Sequence, residues 1–216
     1  MPQKELIRET EWSREYRLGP QTVSFESKFA SDGLELSAEE LRKQWTHWTE
    51  IERLDFANAF VLKPRLTTED QLILGYLLEF GSGFVLDTLA HLLPRYSDRE
   101  RALEFLLQHL ASSGRCGGTY YQALESIGDL RALPALRARY EGYRRDLSPL
   151  ESLTLHSPLA DYQQCCRALW KLDGSSEYKT ALQDLLEHPD TNIRRRSYFF
   201  LYDRWPDSPA FSLPPA

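Results

Sequence analysis

From Ser37 onward, apolar side chains recur at helical spacing, and the stripes are punctuated at regular intervals. Leu72, Ile73, Tyr76, Leu77 and Phe80 form one run. It breaks at Gly81-Ser82-Gly83, and Val85, Leu86, Leu89, Ala90 and Leu93 resume the period up to Pro94. Leu103, Leu106, Leu107 and Leu110 precede a glycine-rich break at 114–118, after which Tyr120, Leu124 and Ile127 run to Gly128. Leu133, Leu136, Tyr140 and Tyr143 share a stripe, and Tyr162, Cys165, Leu169 and Leu172 share the next, beyond an irregular stretch at 146–158. Tyr178, Ala181, Leu182, Leu185 and Leu186 lead through His188-Pro189-Asp190 to Ile193, Ser197, Phe200 and Leu201.

Three hydroxyl-led starts punctuate this pattern: Ser37 with Glu40, Thr68 with Gln71, and Ser97 with Glu100. Each has the spacing of a capping box, in which the hydroxyl accepts from the third helical N–H and the longer side chain reaches back. The first helices of successive pairs are therefore expected to begin near residues 38, 68, 98, 131 and 175. Ahead of them, Thr22–Phe29 alternates apolar and polar between Gly19-Pro20 and Asp32-Gly33, the signature of a strand or hairpin, or of an extended arm lying on the helical body. The expected organisation is an arm over 1–36, a helical domain over 37–205 and a proline-rich tail over 206–216. The fold class is all-α.

Composition changes this picture little and charge changes it more. With 42% hydrophobic and 27% charged residues the chain has an ordinary globular balance. No run approaches the roughly 18 apolar residues of a membrane helix, and the first residues lack the apolar centre of a secretory signal, so a cytoplasmic location is expected. The formal net charge of −6 has the wrong sign for a protein whose affinity rests on phosphates, and suits a basic partner. Cys116, Cys165 and Cys166 are odd in number without C-x-x-C spacing, which points to buried thiols rather than a disulfide framework or thiolate metal site. Adjacent positions on a helix diverge by about 100°, so at most one of Cys165 and Cys166 is expected to face the core squarely.

Two segments resemble HEAT-like repeats of bacterial proteins, whose units are helix pairs of roughly 30 to 47 residues. In Tyr121–Leu136, an Ala-Leu helix ends in Gly128-Asp129 and is followed by Arg-Ala-Leu-Pro-Ala-Leu. In Leu185–Ser197, an Asp-containing turn precedes Ile193-Arg194. Asp190 or Thr191 is expected to cap the helix after that turn, and Arg194 to pair with acidic loop groups of a neighbouring repeat. The resemblance implies an α-α superhelix of about five antiparallel helix pairs, with second helices lining a concave binding surface.

Candidate chemistry is sparse. The five histidines form no H-E-x-x-H motif. Asp87/His91 and Asp184/His188, each four apart, read as surface helix pairs rather than general-base pairs. No G-x-S-x-G elbow or phosphate loop occurs, and no cofactor or metal site is expected. Arginines interleave with tyrosines at 137–145 and 194–204, a pattern known from nucleic-acid grooves, but acids intersperse and the net charge is negative. The resemblance implies a protein that binds another protein, and with a small acidic chain and no catalytic constellation the expected role is that of an immunity protein or antitoxin that sequesters a basic toxin or enzyme by steric occlusion. Its expected contact residues are Trp45, Trp48, Tyr120, Tyr121, Asp161, Gln164, Arg195, Tyr198 and Tyr202. The resemblance also implies two alternatives. One is a DNA glycosylase for alkylated bases, with Asp161 stabilising a developing cation. The other is a scaffold or cofactor-lyase subunit.

Overall fold

A computed structural model describes three strands, β1 (Lys4–Glu9), β2 (Ser13–Leu18) and β3 (Gln21–Glu26), together with residues 36–112, 118–146 and 158–203. The expected tail over 206–216 lies outside the described residues. So does most of the irregular stretch at 146–158. The strands pair antiparallel in the order β1-β2-β3, with Ser13 opposite Glu26 and Lys4 opposite Leu18. The alternation at 22–29 meets β3, while the charged hexapeptides of β1 and β2 carry little of that signal.

From Ala38 to Tyr202 every described element is helical. The chain divides into two compact units, Met1–Leu89 and Ala90–Ala216. The first holds α1 (Ala38–Trp45), α2 (Glu50–Val61), α3 (Thr68–Phe80) and α4 (Phe84–Leu89). In the second, a 3-10 segment (Ala90–Arg95) precedes α5 (Arg99–Ser112), α6 (Gly118–Ile127), α7 (Leu133–Asp146), α8 (Pro158–Asp173), α9 (Ser176–Asp184) and α10 (Thr191–Tyr202).

Local chemistry sets the helix starts. The Ser37–Glu40 capping box opens α1, and an equivalent box, Thr49 with Glu52, opens α2. On α3 the box is Thr67 with Asp70, one residue before the expected Thr68 and Gln71. A carboxylate serves the orphan N–H better than an amide does, because it also complements the positive end of the helix. At α5 the cap is Asp98, whose carboxylate accepts from Arg101 N–H at 3.0 Å, while Glu100 instead pairs with Arg131 at 2.7 Å. Helix ends are equally local. Gly128 and Gly174 take positive φ of 75° and 71° and close α6 and α8 by donating back to Leu124 and Trp170.

Packing places alternate helices in register within each unit. Ala38 N–H donates to Glu69 and Arg42 lies over the Tyr76 ring, so α1 runs alongside α3. Likewise α2 packs on α4. In the second unit α8 is the hub, packed against α6, α7, α9 and α10. That explains a departure from expectation: Cys165 and Cys166 are both fully buried, because a helix with neighbours on four sides has almost no solvent face. On α3 the buried stripe is Asp70, Ile73, Leu74, Leu77 and Leu78, and Leu72 and Phe80 stand outside it.

Candidate functional site

The expected contact residues of the second unit fall on α6, α8 and α10, which α8 joins. Gln163 of α8 donates from Nε2 to the Ile193 carbonyl at 3.0 Å and to Ser197 Oγ at 2.6 Å, tying α8 to α10. Gln164 lies against Gly118 at the start of α6. A Cβ there would stand 3.0 Å from Gln164 Cγ, so any larger residue would have to push the Gln164 side chain aside. The Oε1 atoms of both glutamines are buried and make no hydrogen bond. Asp161, one turn earlier on α8, is buried, and its negative charge is felt at Tyr143, Cys165 and Arg196.

Across the same three helices runs an ion network. The Arg167 guanidinium forks onto Glu125 of α6 at 3.0–3.1 Å and reaches Asp203, just past α10, at 2.7 Å. Lys171 adds a second contact to Asp203 at 3.1 Å. Asp203 occupies the left-handed region (φ 54°), which Asp tolerates better than most side chains, and that turn aims its carboxylate back at α8. Arg167 also lies 5.5 Å above the Phe200 ring. Neither Arg167 nor Glu125 stood among the expected contact residues. An arginine and a glutamate 42 positions apart leave no local signal that they pair.

The structure separates the expected contact residues into three groups. Trp45, Tyr120, Tyr121, Asp161 and Gln164 are buried and present no contact surface in this conformation. Trp48 and Tyr198 are half-buried, and Arg195 and Tyr202 are exposed. The rings pack against rings. Trp45 meets Trp48 at 5.8 Å and Phe56 at 6.4 Å, His109 stacks on Tyr120 at 5.7 Å, and the Tyr121 hydroxyl meets that of Tyr143 at 2.8 Å. On α10, Arg195, Tyr198 and Tyr202, at i, i+3 and i+7, share an outward face.

The basic-aromatic interleaving divides the same way. Tyr140 and Tyr143 turn inward, and burial pushes each phenol up to about 12. Around them Arg137 pairs with Asp173 at 3.1 Å, Arg139 donates to the Leu110 carbonyl and Arg144 lies 3.6 Å from Glu177. Arg194 braces its own turn, donating to the carbonyls of His188 and Pro189 at 2.7 and 2.8 Å and to Thr191 Oγ1. Asp190 is the residue that caps α10, accepting from Asn192 N–H at 2.7 Å.

Burial raises both thiols on α8 well above the ordinary cysteine range. In the native chain Cys165 and Cys166 are therefore expected to resist iodoacetamide and to react only at the rate of unfolding. Peptide mapping by mass spectrometry, with and without denaturant, checks this. Rapid native labelling at either position contradicts the buried hub.

Among the described residues no three His, Cys, Asp or Glu side chains gather at metal-binding distance, and no helix is long and apolar enough to cross a membrane. No protein-family model matches the chain, and neither a curated protein nor a solved structure matches it.

Proposed function

We propose that this chain is a HEAT-like α-α superhelix of about five helix pairs that binds one other protein in the cytoplasm. On this reading it sequesters a basic toxin or enzyme by steric occlusion, as immunity proteins and antitoxins do. First helices beginning at Ala38, Thr68, Arg99, Leu133 and Ser176 support the repeat reading, as does the packing of alternate helices within each unit. One observation carries the binding reading: large apolar side chains, Ile51, Phe80, Phe84 and Leu130 among them, stand more than half exposed on a protein of net charge −6. An acidic surface speeds encounter with a basic partner, and the exposed apolar groups supply the area that is dehydrated on contact.

Affinity capture with the tagged full chain from native lysate tests this. The expected result is one stoichiometric protein of basic isoelectric point whose activity is blocked in the complex. Capture of nucleic acid instead, with salt-sensitive retention, supports the glycosylase alternative. Absence of any stoichiometric protein sinks the sequestration reading.

A further inference from the structure

The outward face of α10 is aromatic over its C-terminal half. Tyr202 is 52% exposed, and Tyr198, one turn earlier, is half-buried. Their rings lie 4.6 Å apart at an interplanar angle of 47°, so the two phenols form one continuous surface. Arg195 is exposed on the same side, about 10.5 Å before Tyr202 along the helix axis. Ile193, Ser197, Phe200 and Leu201 take the buried side.

The chain leaves this helix at a fixed point. Asp203 has a left-handed φ of 54°, and its N–H donates to the Phe199 carbonyl at 2.8 Å, which closes α10. Its carboxylate is held by Arg167 at 2.7 Å and by Lys171 at 3.1 Å, so position 203 is tied to α8. Thirteen residues follow, at 204–216, all outside the described residues. Three positions past the tie stands Pro206-Asp207-Ser208-Pro209. Prolines three apart return to the same side of a polyproline II helix, about 9 Å from one another. A P-x-x-P pair of this kind is what aromatic-lined surfaces take up, because its shape is preformed and little order is lost on docking. The six steps from Asp203 to Pro209 reach up to about 19 Å in that conformation, enough to pass back over Tyr198.

We propose that the Tyr198–Tyr202 surface of α10 is a proline-binding face, and that its occupant is the segment at 206–209 of this same chain. The pyrrolidine rings stack on the two phenols, and Asp207, the acid between the prolines, complements Arg195. Covalent attachment favours this occupant over a proline-rich segment of a partner or the tail of a second copy, since a short connection holds it at millimolar effective concentration. Arg195, Tyr198 and Tyr202 are also the outward members of the expected contact set. A docked tail therefore closes that face to a partner. The proposal does not depend on which protein the chain binds.

Backbone 15N relaxation of the full chain tests this at Asp207 and Ser208. Order parameters near about 0.85 are expected in the native chain, falling below about 0.6 in Tyr198→Ala/Tyr202→Ala. Pro206→Ala/Pro209→Ala is expected to lower them in the same way without touching the helical body. Tyr198→Phe/Tyr202→Phe keeps both ring faces and keeps the order. A synthetic peptide of residues 204–216 is expected to bind the Pro206→Ala/Pro209→Ala chain, whose face is vacated, at least about tenfold more tightly than the native chain, whose face is filled.

The proposal is overturned if Asp207 and Ser208 are already below about 0.6 in the native chain. It is overturned equally if their order survives Tyr198→Ala/Tyr202→Ala, or if the peptide binds the native and Pro206→Ala/Pro209→Ala chains alike. Order that disappears on dilution, in step with a dimer-to-monomer transition in sedimentation velocity, assigns the tail to a second copy and overturns it as well.

Discussion

Tyr121→Ala is expected to destabilise the second unit by about 4 kcal/mol, in the range for truncating a fully buried aromatic. The side chain is among the largest with no solvent exposure, on a helix that packs against both α8 and the 3-10 segment before α5. Its removal takes away apolar burial and leaves a cavity that close-packed helices fill only partly. Tyr121→Phe isolates the hydroxyl. It leaves the Tyr143 hydroxyl, itself in a buried side chain, without its 2.8 Å partner, at an expected cost of about 1–2 kcal/mol. Urea unfolding, with equal m-values required for comparison, measures both. The pair also separates packing from recognition. A core role moves the unfolding midpoint. A contact role would weaken partner binding in Tyr121→Phe and leave the midpoint where it was. Tyr202→Ala, at an exposed position, is expected to shift stability by no more than about 0.5 kcal/mol.

Asp70→Ala is expected to cost the first unit about 3–4 kcal/mol, combining a lost helix cap with a broken buried ion pair. Asp70 is 2% exposed. Its Oδ2 accepts from the Thr67 N–H and hydroxyl, both at 2.8 Å, and its Oδ1 takes the Lys63 ammonium at 2.5 Å. Alanine abandons both partners and takes from Lys63, whose side chain is only 16% exposed, the carboxylate it meets at 2.5 Å. Asp70→Asn keeps an oxygen for the cap but not the charge, and is expected to cost less, about 2 kcal/mol.

The same carboxylate makes a pH prediction. Burial by itself would raise its pKa, but the hydrogen bonds from Lys63 and Thr67 outweigh burial and hold it below the ordinary Asp value. A depressed folded pKa means that the stabilisation is fully present above the unfolded value, about 3.9. It is lost as pH falls through the lower folded value. Thermal unfolding followed from pH about 6 down to about 2 should show this loss in the native chain. The Asp70→Asn variant should show a shallower decline over the acid limb. An unchanged acid limb contradicts the assignment.

Much of the helical skeleton was legible because its determinants are local. A capping residue, a helix-ending glycine and a 3.6-residue stripe act within a turn or two of backbone. That is why the expected starts near 38, 68, 98, 131 and 175 fall within two residues of α1, α3, α5, α7 and α9. Where two candidate caps adjoin, as at Thr67 and Thr68, sequence alone narrows the start to a single step. The choice of Thr67 follows from where Asp70 also finds Lys63.

The candidate contact residues were far less legible. Trp45, Tyr120 and Tyr121 have the side chains of interface anchors, and those same large rings release the most free energy when buried against another helix. Nothing within a few residues of Tyr121 reveals that Tyr143 waits 22 positions on, or that α8 will be enclosed by four helices so that Cys165 and Cys166 both lose their solvent face. Phe80 fits its helical stripe as well as Leu77 does, yet one is exposed and the other buried. The sequence by itself determined where helices begin, where they end and which faces are apolar, because those are properties of neighbours along the chain. Only the tertiary structure decided which apolar faces are covered and which charges are paired, because those depend on contacts between segments that the chain separates by tens of residues.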